Sequence, residues 1–433
     1  MNRKLSKAPL AGAIVVIQLF VVACGGAASP TPVPQPTAAT TAAATTAAAT
    51  TAAATTAAAT TATATTAAAT MAAATMAPAT ATSGLSTGSP TADLSYVAAQ
   101  VNKYLAKPTF EAPGPAFDAP SAMQGKTIFT LPYSNAIPFD IGLLTGQDNA
   151  AKLVGFTHTT WTNQGSPSEW NQGLQSAIAT KVDLIDILTI NPNVFEPTIK
   201  DARSQGIKVV DSHVYALGQQ APDFLDGVVR FDYEGAGRLL ADWVINTTQG
   251  KSKVLILEAS DSVSSPPFVA AIEDEFKTRC GSGCELLKAD VPTSDWATRI
   301  TPTVQAQVVA NPDLNYIIPI YDSMSPQVVA ALAATNTADT VKIATFNGSA
   351  SVIDLVREGK VEMDIGENLV WAGMAIMDSE MRLLAGQAMP DDPKIPMYIF
   401  TKDNAAEAGT PAQIGQGYGN AQDAGYHDLW QLK

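Results

Sequence analysis

Between Gly125 and Leu384 the chain alternates short apolar runs with longer amphipathic segments, and this rhythm most restricts what it can fold into. Residues 125–131 read as a buried strand, and residues 138–153 as a helix with Ile141, Leu144 and Leu153 near one face, closed by Gly155. The apolar run 181–190 comes next, followed by Asn191-Pro192 and a helix that stops at Gly206. Another strand begins at 207–211. The pattern continues with strand 227–231 and helix 235–246, then strand 253–257 and a helix through Phe276. After that come 314–320 with 326–334, 341–346 with 351–358, and 361–365 with 372–384. Strands alternating with such helices predict an α/β fold, with parallel sheets covered on both faces. Ligands of such sheets bind beyond the carboxyl ends of the strands, so the residues to watch lie just after each strand.

The amino terminus points outside the cytoplasm. Arg3, Lys4 and Lys7 precede an apolar stretch that ends in Val21-Val22-Ala23-Cys24-Gly25. It has the length of a signal-peptide core and is short for a membrane span. The last four residues before Gly25 resemble the lipobox of bacterial lipoproteins, which implies removal of residues 1–23 and lipidation of Cys24. An ordinary signal peptide with a chance cysteine, or a single amino-terminal membrane helix, are the alternatives. Residues 25–92 then carry no charge, and residues 37–82 contain only Ala, Thr, two Met and one Pro. A tract without large apolar side chains cannot offset chain entropy with a core, so residues 24–92 read as a disordered stalk. Pro30, Pro32, Pro34 and Pro36 stiffen its start. A partly helical or O-glycosylated rod is the other reading of the same tract.

Charge and cysteines bound the body. Without residues 1–23 the chain has 23 Lys and Arg against 40 Asp and Glu, a net charge of −17. Such a surface repels nucleic acid. Cys280 and Cys284, in Arg-Cys-Gly-Ser-Gly-Cys-Glu, read as a disulfide in an exported chain, with two free thiols as the alternative. His158, His213 and His427 show no ligand spacing to these cysteines or to one another, so no metal site is expected. No cofactor fingerprint appears: Gly415-Gln416-Gly417-Tyr418-Gly419 has neither the spacing nor the setting of a phosphate loop. Met374, Met377 and Met381 recur at helical spacing and read as a core stripe.

Several stretches fall in order on these elements: Pro138-Phe139 with Gly146 and Gly155, Ile190-Asn191-Pro192, Gly206 through Asp211, Asp232 before Gly237, and Phe346-Asn347-Gly348 before Gly359-Lys360-Val361. Together they resemble the ribose-binding type of type 1 periplasmic binding protein, the sugar-binding proteins of bacterial ABC importers, over roughly residues 124–400. The resemblance implies two Rossmann-like lobes with parallel sheets joined by a three-strand hinge, enclosing a sugar when they close. It places lobe one at 124–231 plus 368–399 and lobe two at 232–367 plus 400–433. Hinge strands fall near Phe231, Glu367 and Phe400, and residues 93–123 form an amino-terminal extension.

Matched to the family's pattern, Phe139 falls where a ring packs on the sugar, followed by Asp140 where the family often has another aromatic. Asp211 and His213 occupy the loop after the third strand in place of an Asp-Arg pair. Asp232 matches a hinge aspartate, whose bland role is to cap a helix. Ser265 and Phe268 follow the fourth strand, where the family's arginine has no counterpart. Tyr321-Asp322 replaces an Asn-Asp pair. Asn347 stands at a ligand-binding aspartate and Glu367 at a hinge glutamine, six residues before Gly373. Trp161, Trp170 and Trp296 fall in or near loops, and Trp296 is the best of them as a frame for the ligand mouth. With no arginine matched and Asp140, Asp322 and Glu367 near the cleft, a neutral or amino-bearing ligand is expected over an anionic one.

Two function classes follow. One is a substrate-binding lipoprotein delivering a sugar-like molecule to an ABC permease, a monomer held at the outer face of the cell membrane by its lipid. The other is the same clamp presenting its closed form to a membrane receptor kinase. No nucleophile with a base appears, which argues against an enzyme. The export signal and net acidity exclude the lac-repressor type of transcription factor, which shares the clamp.

Overall fold

The computed structural model describes residues 92–433; the leader, Cys24 and all but the last residue of the stalk lie outside them. Helices α1 (Leu94–Tyr104) and α2 (Ala119–Ala122) precede the first sheet. Its elements are β1 (Thr127–Pro132), α3 (Pro138–Val154), β2 (Thr157–Thr160), α4 (Pro167–Thr180), β3 (Leu184–Leu188), α5 (Glu196–Ser204), β4 (Lys208–Ala216) and β5 (Gly227–Phe231). The strands run parallel in the order β2-β1-β3-β4-β5. β3 is buried at every residue, as a strand with helices on both faces must be. Pro138 starts α3 and Gly155, at φ 90°, ends it. Ser166 and Glu169 form a reciprocal capping box at the head of α4.

The second sheet follows: α6 (Tyr233–Thr247), β6 (Ser252–Glu258), α7 (Ser265–Glu275), β7 (Cys284–Asp290), α8 (Trp296–Ala310), β8 (Tyr316–Pro319), α9 (Ser325–Thr335), β9 (Lys342–Asn347), α10 (Ala350–Arg357), β10 (Met363–Gly366), α11 (Leu369–Leu384), β11 (Tyr398–Thr401) and α12 (Ala421–Leu429). The order is β11-β10-β9-β8-β6-β7. The expectation of wholly parallel sheets is corrected at one edge, where β11 pairs antiparallel to β10. Cys280 and Cys284 are joined as a disulfide with Cα atoms 5.8 Å apart, at the start of β7.

Two strand-helix units escaped the sequence: β2 with α4, and β7 with α8. β2 and β7 are edge strands whose residues alternate between exposed and half-buried, so neither carries a continuous apolar run. The strand before Ile190-Asn191-Pro192 is therefore the third, not the second.

The chain passes from the first sheet to the second after Phe231, returns after Gly366 into α11, and leaves again between α11 and β11. On its return α11 lies against α3, where Gly146 and Gly373 face each other's backbone and a Cβ on either would collide with it. Met374, Met377 and Met381 are buried in the same cluster.

The two ends of the described chain add further links. Val97 and Val101 of α1 pack into the core of the second lobe, and residues 105–118 then run to α2 in the first. The segment after residue 400, expected wholly in lobe two, divides. Ala405, Ala408 and Tyr418 join the second lobe's core, whereas Tyr426, Leu429 and Trp430 join the first's. Trp430 donates to Asp378 on α11, and Phe110 packs edge-on against Tyr426 and stacks on Trp371.

Candidate functional site: the cavity between the two sheets

A cavity of about 340 Å³ opens at the carboxyl ends of the strands and is lined from both lobes. The first lobe supplies the loop after β1 (Tyr133, Ile137, Phe139, Asp140), Trp170, the loop after β3 (Thr189, Ile190, Asn191, Val194), and His213 with Val214. The second supplies Tyr233, residues 261–264, Thr293, Trp296, Tyr321, Ser323 and Asn347. The first wall is mostly apolar and aromatic, the second mostly hydroxyl-bearing.

His213 forms the floor. It sits in a β-bulge between Ser212 and Tyr215 of β4, with φ 67°, a left-handed conformation unusual for a side chain of this size. The bulge turns its imidazole out of the strand and into contact with three rings: Phe231 stacked at 5.4 Å, Phe139 edge-on at 5.1 Å and Tyr233 edge-on at 5.7 Å. His213 Nε2 lies 2.6 Å from Glu367 Oε2, and Asn347 Nδ2 donates to Glu367 Oε1 at 2.9 Å. Tyr233 Oη lies 2.7 Å from both His213 Nδ1 and the His213 carbonyl. A carbonyl cannot donate, so when the single phenol proton goes there, it is His213 Nδ1 that donates to Tyr233. The chain Tyr233–His213–Glu367–Asn347 thus ties β4 of the first lobe to α6 and β9 of the second.

Other polar groups are engaged before any ligand arrives. Asp140 accepts from the Ser134 backbone amide at 2.9 Å and from Thr189 Oγ1 at 3.0 Å, and burial pushes its carboxyl up to about 7 despite both bonds. On the second wall, Tyr321 Oη meets Ser264 Oγ at 2.8 Å and Ser262 Oγ at 3.1 Å, and the two serines lie 3.1 Å apart. Three hydroxyls in a ring can each donate to the next in either direction. Asp261 accepts from the backbone and hydroxyl of Thr293. Tyr133 faces it across the cleft: burial raises the Tyr133 phenol, and the charges of Asp261 and Asp140 raise it further.

Of the residues singled out in the sequence, Phe139, Asp140, His213, Trp296, Tyr321 and Asn347 line the cavity, as does Trp170, which the structure places within α4 rather than in a loop. Glu367 does not; it is fully buried beneath His213 and Asn347. Asp211 is a buried residue of β4 away from the lining, held well above the usual carboxylate range by burial and then by Asp186. Asp232 caps α6 through the Gly235 amide at 2.8 Å. Ser265 and Phe268 belong to the first turn of α7, which points them into the core. Asp322 is buried and accepts from Ser349 N at 2.6 Å and Ser349 Oγ at 3.1 Å, bracing the loop after β9; burial pushes its carboxyl up to about 7. Trp161 packs against Gly173 outside the lining.

Tyr133, Tyr233, Asp261, Ser262, Ser264 and Thr293 were missed. Tyr133 and residues 261–264 follow β1 and β6 directly, so the rule of looking just past each strand reaches them. Thr293 comes from the unit of β7, which carried no signal.

The family model of the periplasmic binding protein domain matches residues 128–388. Solved structures share the fold. The glucose-galactose binding protein GanP from Geobacillus stearothermophilus aligns at TM-score 0.57 and 17% identity, over 65% of this chain and 98% of its own. An ABC transporter solute binding protein from Agrobacterium vitis, bound with α-D-tagatopyranose, aligns at 0.59 and 20%, over 67% and 99%. The XylFII–LytSN complex aligns at 0.55 and 16%, over 64% and 98%. With the matched domain reaching from β1 to α11 and including every residue that lines the cavity, this chain belongs to the periplasmic binding protein domain family and has its type 1 fold.

Proposed function

We propose that the chain is the substrate-binding component of an ABC importer, a lipoprotein anchored through Cys24 outside the cytoplasm that captures a sugar or sugar-like molecule between its lobes as a monomer. The observation that carries this reading is the cavity itself: rings from both lobes enclose it, and a hydrogen-bonded chain joins the lobes along its floor. Rings cover the apolar C–H faces of a sugar, and the hydroxyls of Ser262, Ser264 and Tyr321 suit its polar edge. Its volume falls in the usual range for small-molecule sites. The family match and the sugar-bound relatives support the same class of ligand. The ligand contacts are Phe139, His213, Trp296, Tyr321 and Asn347, with Asp140 and Glu367 positioning them. A thermal-shift screen against pentoses, hexoses, polyols, nucleosides and amino compounds tests this, because a ligand that binds the folded form raises the midpoint. Asn347→Ala is expected to abolish the shift of the best hit; an unchanged shift means that the ligand sits elsewhere.

A second reading has its own support in the likeness to the XylFII–LytSN complex. The closed clamp is then recognised by a membrane receptor kinase in place of a permease. Co-purification of the ligand-loaded protein with a permease or with a kinase separates the two.

A further inference from the structure

Anions most often bind proteins through Lys, Arg or the free amides of helix starts, and the lining of this cavity offers little of either. Among the described residues that line it there is no lysine or arginine. His213, the one basic side chain there, is paired with Glu367 beneath it. The start of α7, whose cap residue Ser264 faces the cavity, is stripped of donors: Pro266 and Pro267 have no N–H, the Ser265 amide is bonded to the Ser262 carbonyl, and the Phe268 amide to the Ser264 carbonyl. Pro138 likewise occupies the first position of α3, and Pro192 the first of the short turn after Asn191.

What remains is the opposite polarity. Asp261 is exposed on the second wall, with its carboxylate held in place by Thr293 and, among the described residues, no cationic side chain within salt-bridge distance. Next to Thr293 along the chain stands Trp296, whose ring lies 6.1 Å from that of Tyr321, and Tyr133 faces them from the other lobe. A carboxylate beside aromatic faces, in a site without competing cations, is the arrangement that holds an ammonium group. Resting on the sugar-like reading above, we propose that the ligand carries a protonated amine, seated against Asp261 and the rings of Trp296, Tyr321 and Tyr133, with its hydroxyls on Ser262, Ser264 and Asn347.

Calorimetric titration of the full chain with D-glucosamine, D-galactosamine, their parent sugars, their N-acetyl forms and choline tests this, in the native protein and in Asp261→Asn. The expected result is at least tenfold tighter binding of an amino sugar than of its parent and N-acetyl forms. Asp261→Asn should remove most of that preference by weakening the amino sugar far more than its parent. A parent or N-acetyl sugar that binds as tightly as the amino form, or a preference that survives Asp261→Asn, overturns the amine and leaves the sugar reading standing. Binding of choline alone keeps the amine and overturns the sugar. Binding of none of these compounds overturns the amine, and the sugar reading is then decided by the wider thermal-shift screen.

Discussion

Removing the carboxylate of Glu367 would strand two partners at once, His213 from the first lobe and Asn347 from the second, both almost fully buried. Breaking a buried pair by deleting one partner typically costs about 3–5 kcal/mol, so Glu367→Ala is expected to lower the urea midpoint strongly and to weaken ligand binding as well. Glu367→Gln, which keeps one acceptor and one donor near the same positions, should lose clearly less on both counts; equal losses in the two variants would sink the latch role. At this scale the sequence was readable where a residue ends a strand or closely follows one, as Asn347 at the end of β9 and Tyr321 two residues past β8 do. It failed where a helix starts sooner than expected. Ser265 and Phe268 are a few residues beyond the right loop, but α7 begins at Ser265, and its first turn rotates them into the core while Ser262 and Ser264 stay at the cavity.

Helix α11 reaches α3 only because Gly146 and Gly373 present bare backbone to each other. Added methyl groups in a close-packed contact typically cost 1–3 kcal/mol, and here they would meet backbone that cannot rotate away. Gly146→Val and Gly373→Val should therefore each lower the thermal midpoint, whereas Gly386→Ala, with open space around its Cβ, should act only through its left-handed backbone and cost less. A Gly146→Val protein with an unshifted midpoint would mean that the helices can separate freely. The interior strands were legible because burial on both faces demands continuous apolar runs, as in β3. The edge strands β2 and β7 were not, because one edge and part of each face meet water and Thr, His, Glu and Lys serve there as well. The missing edge units are also why Thr293 went unseen.

Over the whole molecule, buried carboxyls dominate the response to pH. Burial raises Asp186 to about 6, Asp140 and Asp322 to about 7, and Asp242 to about 8, the last also through Glu275. Between their ordinary values near 4 and these raised ones, the folded protein holds protons that the unfolded chain has released. Stability is therefore fully present below about pH 4 for these groups and is lost as pH rises toward 8. The thermal midpoint should be several degrees higher at pH 5 than at pH 8; a midpoint that rises over that interval would show that these groups find compensating partners. A mildly acidic surrounding suits such an interior.

The crossing ends of the chain set an order of assembly. The first lobe's core draws on residues 117–229, on α11, and finally on Tyr426, Leu429 and Trp430. A ribosome making this protein must therefore add Trp430 before the earliest lobe can bury its last aromatic ring, although most of that lobe was synthesised some two hundred residues before. Through nearly all of its manufacture the polypeptide is an unfinished object, with the seat for Trp430 beside Asp378 still open.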